Sequence, residues 1–368
     1  MTNDEKYKLI TRNLEETLTP EELKSYLDNE VTLKHYIGFE ISGKVHLGTG
    51  LASMYKIRDL QKAGVETTVL LADWHTWLNR KLDGTLETAT KMARSYFEEA
   101  LKAAALAAGA DPEKIEFVLG SELYKKLNTE LFATVIKVSK ATTISRMMRS
   151  TTIMGRKESD VSDAAMLIYP ALQSADIFTM GINIAHAGTD QRNVHIVARD
   201  SAKEVGFPKP IAIHHHLLQG LLKPTVWPIP EGGNKEELTE AMKMSKSKPD
   251  SAIFIHDAPE EIKRKLNNAF APEGEIKYNP VLDWTKYLIF YDSDSTLEIK
   301  RDEKFGGDIT YTSYEDLEKD YADKKLHPQD LKAAVAEWLI IKLEPARIYF
   351  EDPKRKAALE EVEKLTKK

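Results

Sequence analysis

Residues 38–50, GFEISGKVHLGTG, hold two overlapping patterns that could each seat a phosphate. Gly38 to Lys44 reads G-x-x-x-x-G-K, in which the backbone N–H groups of a glycine-rich turn and one lysine would cradle a nucleotide. His46 to Thr49 reads H-L-G-T, in which small residues at a helix start let a nucleotide approach the backbone while the histidine donates to phosphate oxygens. The first pattern requires Ser or Thr after the lysine to hold magnesium, and a helix that begins there; position 45 is Val. A P-loop NTPase is therefore the weaker reading. The second needs cationic partners. Lys243-Met244-Ser245-Lys246-Ser247 supplies them far downstream, after Gly232-Gly233, on the kind of loop that can swing two ammonium groups onto a triphosphate.

The elements that must position these residues alternate as in α/β proteins. Residues 35–41 (HYIGFEI) and 66–73 (ETTVLLAD) read as strands, with a helix from 47 to 62 between them ended by Ala63-Gly64: one βαβ unit with a right-handed crossover. An Ala-rich helix stopped by Gly109 and a strand at IEFVLG follow. The pattern resumes at MLIYPALQSADIFTMG, with strands at INIAHAG and PIAIHHH around a helix from 191 to 205. Residues 121–163 thus interrupt an α/β domain whose halves run over 1–120 and 164–223. Prolines 224, 228 and 230 with Gly232 and Gly233 mark an irregular linker, 224–255, that carries the lysine loop. From 256 to 368 the chain is charged and helical, with an apolar stripe at Leu331, Val335, Trp338 and Leu339 that suggests a separate helical domain.

Composition narrows the partners. A chain of 368 residues with 42% hydrophobic content fits two or three globular domains, and no apolar run approaches the roughly 20 residues that span a bilayer. The N-terminal MTNDEKYKL has no apolar signal region, and there are no cysteines, so disulfides and thiolate metal sites are excluded and the cytoplasm is the expected compartment. A net charge of -6 argues against a chain-wide nucleic-acid surface, yet Lys137, Lys140, Arg146, Arg149, Arg156 and Lys157 run through 137–157 without one acidic residue.

Taken together, these residues resemble the class I aminoacyl-tRNA synthetases, and most of all the tyrosyl-tRNA synthetases of the archaeal and eukaryotic branch. YIGFEISGKVHLG, LLADWHTWLN, IYPALQSADI, GTDQRNVHIVARD, KMSKS, KFGGD and LHPQDLK occur in that family's order. The resemblance implies an α/β Rossmann-like parallel-sheet catalytic domain, a connective insertion with the dimer interface and acceptor-stem contacts, and a C-terminal, mainly helical anticodon-binding domain. It implies tyrosine, ATP with Mg2+ and tRNA(Tyr) as substrates of a homodimer, with no tightly bound metal. His46, Lys243 and Lys246 would then be catalytic, with Gly48, Asp190 and Ser245 also at the ATP. Tyr36 and Asp176 would pair with the phenol hydroxyl, and Tyr169, Gln173 and Gln191, with Glu40 nearby, would bind the α-amino group. Tyr169, Gln173 and Asp176 are four and three apart, which puts them on one helix face. Arg146 and Arg149 would meet the acceptor end, and Phe305, His327 and Asp330 the first anticodon base.

Plainer readings stand beside these. Tyr36 in a strand is also what a core tyrosine looks like, whereas Asp176 on a buried helix face needs a partner. Asp330 near a helix start suits the helix dipole alone. His214, His215 and His216 invite a metal reading, but strand neighbours point to opposite faces. Trp74, Trp77, Met147 and Met148 read as packing residues. Thr49 stands in place of the second histidine of H-x-G-H, Ile41 where many relatives carry proline, and 224–240 exceeds a minimal linker. A tryptophanyl enzyme competes with the tyrosyl one, but its substrate offers only an indole N–H. A non-catalytic RNA-binding paralogue would be expected to have lost KMSKS or the amino-group binders.

Overall fold

The computed structural model describes residues 1–155, 158–224, 227–228, 242, 244 and 248–366. Six strands form the main sheet: β1 (Leu14–Leu18), β2 (Lys34–Phe39), β3 (Glu66–Leu71), β4 (Ile115–Leu119), β5 (Ile184–Gly188) and β6 (Ile211–His215), in the order β1-β6-β5-β2-β3-β4. All neighbours are parallel except β1, which runs antiparallel along β6. The strand order reverses between β2 and β5, and in such sheets the crevice at the C-terminal ends of that pair is where ligands bind.

Alternation along the strands assigns the two faces. Ile37, Val69 and Leu71 pack with helices Ser53–Lys62 and Glu98–Ala108. Tyr36, Leu70, Ala72 and Ala185 pack with helices Thr129–Lys140, Tyr169–Thr179 and Arg192–Val205. Chain 120–150, between β4 and β5, folds into helices Gly120–Leu127, Thr129–Lys140 and Ile144–Ser150; the second lies against the two helices that cover the sheet.

Three features depart from the sequence reading. The N-terminal strand β1 was not anticipated. The helix after β2 opens with a π-helical turn, Gly48–Ala52, before Ser53–Lys62. The C-terminal region carries a two-stranded antiparallel ribbon, β7 (Leu297–Ile299) and β8 (Ile309–Tyr311), among its helices. Leu331, Val335 and Leu339 face inward as their spacing suggests, and they belong to one buried cluster with Trp284 and Ile37. The C-terminal helices also grip the catalytic half: Arg355 and the Tyr349 hydroxyl both donate to Glu99, and Lys44 pairs with Glu363 at 2.9 Å.

Candidate active site

A cleft of about 760 Å³ opens at the C-terminal edge of β2 and β5, within the size range of small-molecule sites. Tyr36, Glu40, His46, Gly48, Tyr169, Gln173, Asp190 and Gln191 all line it.

At the deep end, Tyr36 rises from β2 with 2% of its surface exposed. Its ring lies over Gly38, where an added Cβ would stand 2.7 Å from the Tyr36 hydroxyl. Glycine is thus required at this strand position by close approach, not by a phosphate. Asp176 is fully buried behind the cleft rather than in its lining. The Tyr124 hydroxyl donates to its Oδ1 at 2.8 Å, while Oδ2 has no hydrogen-bond partner and lies 3.6 Å from His75 Nε2. Burial pushes the Asp176 carboxyl well above the ordinary carboxylate range, with Asp73 adding to the rise and the Tyr124 bond opposing it. Burial pulls the His75 imidazole down to about 3, so it is neutral, and neither ring nitrogen is hydrogen-bonded. Unpaired buried polar atoms cost about 1–3 kcal/mol each. Their convergence beside Tyr36, whose own proton is held firmly by burial, suits a hydroxyl that both donates and accepts.

Around the mouth of this pocket, Glu40 accepts from the Tyr169 hydroxyl at 2.8 Å and from Asn79 Nδ2 at 2.7 Å. Gln173 donates to Gln191 at 3.3 Å, and Gln191 is fixed by donating to the Ile153 carbonyl. The short helix Asp73–Leu78 sets the rim: its Thr76 hydroxyl accepts from the Ile41 N–H, and Asn79 just beyond it holds Glu40. Carboxylate and amide oxygens gathered in this way suit an ammonium group.

Toward the open end the two patterns of 38–50 separate. Lys44 turns away from the cleft to Glu363 and over the Phe254 ring, 4.3 Å from its centroid, and no helix begins at Val45. The P-loop reading fails on both counts. His46 instead bridges to Phe254 as an isolated antiparallel pair, and the flanking bonds Leu47 N–H to Ile253 and Ile255 N–H to Val45 clamp this turn to the segment after the lysine loop. His46 Nδ1 accepts from the Gly48 N–H at 3.2 Å, which leaves the ring proton on Nε2, 3.3 Å from the Thr49 hydroxyl. Thr49 therefore touches the histidine's outer nitrogen. A Cβ on Gly48 would press on the His46 ring at 3.2 Å and come within 3.9 Å of the Met244 sulfur. Lys243, Ser245 and Lys246 lie outside the described residues. Asp190 follows β5 in the turn Thr189–Gln191.

The proposed RNA contacts are elsewhere. Arg146 is ion-paired with Asp200, a surface pair of the kind worth about 0–1 kcal/mol, and Arg149 is exposed. Phe305 is 63% exposed in the loop between β7 and β8, with the Lys304 ammonium 4.8 Å from its ring centroid. Arg301 donates to the carbonyls of Gly307 and Lys325 and so ties this loop to the turn that leads to His327. His327 caps helix Pro328–Lys342 by accepting from the Gln329 N–H through Nδ1, and Asp330 sits in its first turn. Both rings are open to solvent.

The three consecutive histidines diverge: His214 bonds Glu16 and His195, His215 bonds His186, and His216 bonds Glu15 and Asp283. Among the described residues no group of three His, Asp or Glu side chains is placed to hold a metal. Trp74 packs edge-on against Trp77 and Tyr124, though Trp77 is 40% exposed; Met147 is buried and Met148 half-buried. Sequence reasoning weighed Gly38 only as part of a phosphate motif and passed over His75, Asn79 and Tyr124. The available signals were a glycine inside a strand and polar residues just after β3 and β4 at the crevice edge.

The site is thus a switch-point cleft headed by a histidine turn that is clamped to the segment 253–255. The chain belongs to the class I tRNA synthetases (W and Y), whose family model matches residues 28–344. Within that family it is similar over nearly its whole length to archaeal tyrosine–tRNA ligases. It is 52% identical to that of Thermococcus sibiricus over 361 residues, 95% of this chain and 96% of the relative. The crystal structure of tyrosyl-tRNA synthetase complexed with L-tyrosine from Pyrococcus horikoshii superposes with a TM-score of 0.94 at 49% identity, covering 98% and 100% of the two chains. That of tyrosyl-tRNA synthetase from Aeropyrum pernix does so with a TM-score of 0.84 at 38% identity, covering 98% and 99%. Among the described residues no helix is long and apolar enough to cross a membrane.

Proposed function

We propose that the protein is a tyrosine–tRNA ligase that activates tyrosine with ATP and passes the tyrosyl group to the 3′-terminal ribose of tRNA(Tyr). The observation that carries this is the unpaired Oδ2 of fully buried Asp176, just behind the cleft that Tyr36 lines. A phenol hydroxyl donates to the one and accepts from the other; a phenyl ring leaves both unpaired, and an indole N–H leaves the Tyr36 hydroxyl without an acceptor.

The reaction needs no protein nucleophile. Glu40, Tyr169, Gln173 and Gln191 orient the amino group so that the tyrosine carboxylate attacks the α-phosphorus in line, and pyrophosphate leaves. ATP enters as its magnesium complex. His46 Nε2–H and the ammonium groups of Lys243 and Lys246 meet the charge that grows on the phosphates, with Ser245 beside them. Gly48 leaves room for the adenine, and Asp190 accepts from the ribose hydroxyls. Arg146 and Arg149 contact the acceptor end of the tRNA; Phe305 and His327 stack on a splayed anticodon base while Asp330 accepts from it.

The connective insertion, 121–163, also presents a dimer surface. Phe132 and Ile136 are 69% and 44% exposed one turn apart on helix Thr129–Lys140, and Ile144 is 81% exposed on the next helix. We assign the homodimer to the cytoplasm, where tRNA, tyrosine and ATP meet. Amino-acid-dependent pyrophosphate exchange tests the reading: tyrosine should support exchange, and phenylalanine and tryptophan only weakly beside it. Exchange with tryptophan alone would overturn it.

A further inference from the structure

Three imidazoles cross the parallel sheet in a hydrogen-bonded row. From His35 on β2 to His186 on β5 to His215 on β6, each step moves one strand over and two residues toward the strands' C-terminal ends. His35 Nε2 lies 3.0 Å from His186 Nδ1, and His186 Nε2 lies 2.8 Å from His215 Nδ1. The row climbs from the fully buried ring of His35 to the crevice edge. There His215 lines the cleft in register with Gly188, two residues before Asp190. Apolar side chains would fill this space at less risk, because each buried polar ring costs free energy unless it is bonded.

The row has a direction. Burial pulls His35 and His215 down to about 3 and His186 well below its ordinary value, so all three rings are neutral and each carries one N–H. Bonded end to end, they must all donate the same way. The far end decides which. His35 Nδ1 is buried without a partner, and the Lys56 ammonium adds positive potential at that ring. An unpaired acceptor lone pair is tolerated there better than an unpaired buried N–H. The donors therefore run toward the cleft, and His215 offers its Nε2–H to whatever lies beside Asp190.

We infer that His215 donates a hydrogen bond through Nε2 to a ribose hydroxyl oxygen of ATP, with His186 and His35 as positioning residues that hold its tautomer. The inference rests on the tyrosine-activation reading, in which Asp190 accepts from the same ribose. The hydroxyls are thereby met by an acceptor from the end of β5 and a donor from the end of β6. A ribose hydroxyl is one of the few groups that uses both.

The test is pyrophosphate exchange by the full chain with ATP, 2′-deoxyATP and 3′-deoxyATP. His215→Phe, which keeps the ring but not the donor, should raise the KM for ATP roughly tenfold, the loss of about one hydrogen bond, and leave the KM for tyrosine unchanged. The penalty that the unmodified enzyme shows for at least one deoxy analogue should shrink in the variant. His186→Leu, which frees the His215 ring to change tautomer, should raise the KM for ATP by a smaller factor with the same indifference to tyrosine. An unchanged KM for ATP, equal rises for ATP and tyrosine, or an undiminished analogue penalty would each overturn the inference. The 15N signals of His215 in the unmodified protein decide independently of any variant: protonation at Nε2, with a shift on adding ATP, supports it, and protonation at Nδ1 refutes it. If the unmodified protein shows no tyrosine-dependent exchange at all, the tyrosine-activation reading fails instead.

Discussion

At the deep end of the cleft the polar atoms are buried and unpaired, whereas in the C-terminal region the rings proposed for RNA stand in solvent. Asp176 has no exposed surface, while Phe305 keeps 63% of its own. The contrast follows from what each must distinguish. Telling a phenol from a phenyl depends on one hydroxyl, and the discriminating cost arises only where the pocket's own groups cannot turn to water. A splayed base offers a broad face, and stacking rewards an open ring without any buried unpaired group. The same chain thus uses penalty at one end and contact at the other.

If this division holds, substitutions should separate the two ends cleanly. The largest effect belongs to Lys246→Ala, proposed to act on the leaving pyrophosphate. The turnover number for exchange should fall by about 10²–10³, the size seen when one preorganised charge-stabilising group is removed, with the Kd for tyrosine unchanged. Equal loss of both would make the loop structural. Asp176→Asn should lower kcat/KM for tyrosine by roughly 10–100-fold, the cost of leaving one buried polar group badly paired, and should leave the weak activity with phenylalanine nearly untouched. A parallel drop for both amino acids would mean that Asp176 supports the fold rather than the choice. Phe305→Ala should raise the KM for tRNA by about 5- to 100-fold, the worth of one base stack, with exchange intact. Any loss of exchange there would break the separation between the ends.

The parallel strands were legible because strands covered on both faces read as apolar runs such as VLLA and IAI, with helices at the right spacing between them. β1 was not, because LEETL is an edge strand whose partner lies in 212–215, and no local pattern encodes a pairing so distant. β7 and β8, three residues each, are shorter than any periodicity can resolve. At the site, the family resemblance pointed to Tyr36, Glu40, Tyr169, Gln173 and Gln191, and the fold gathers them in one cleft. Gly38 completes a phosphate motif with Lys44 only on paper, and the placed Tyr36 ring explains the missing side chain. The imidazole row needed the register of three strands, which composition does not carry. That the three consecutive histidines diverge was legible, from alternation alone.

The smallest predicted effect concerns the joint between the two ends. His216 lines the cleft, yet its Nδ1 lies 3.0 Å from Glu15 on β1, its Nε2 lies 2.7 Å from Asp283 on helix Pro280–Tyr287, and its ring stacks on Tyr287 at 3.8 Å. Asp283 also accepts from the Gln219 N–H, and the Tyr287 hydroxyl donates to Glu15. The two carboxylates outweigh burial and raise His216 to about 9, while Lys286 is the opposing cation near Glu15. Because the folded value lies above the unfolded one of about 6.5, the stabilisation is complete below pH 6.5 and declines as pH rises toward 9. The melting temperature should therefore drop by a few degrees more between pH 6.5 and 9.5 in the unmodified protein than in His216→Gln, which can bond but not ionise. Parallel melting curves would show that this joint does not depend on charge. A steeper fall in the unmodified protein would mean that the catalytic and C-terminal regions, separate in what they recognise, are held together in part by one proton.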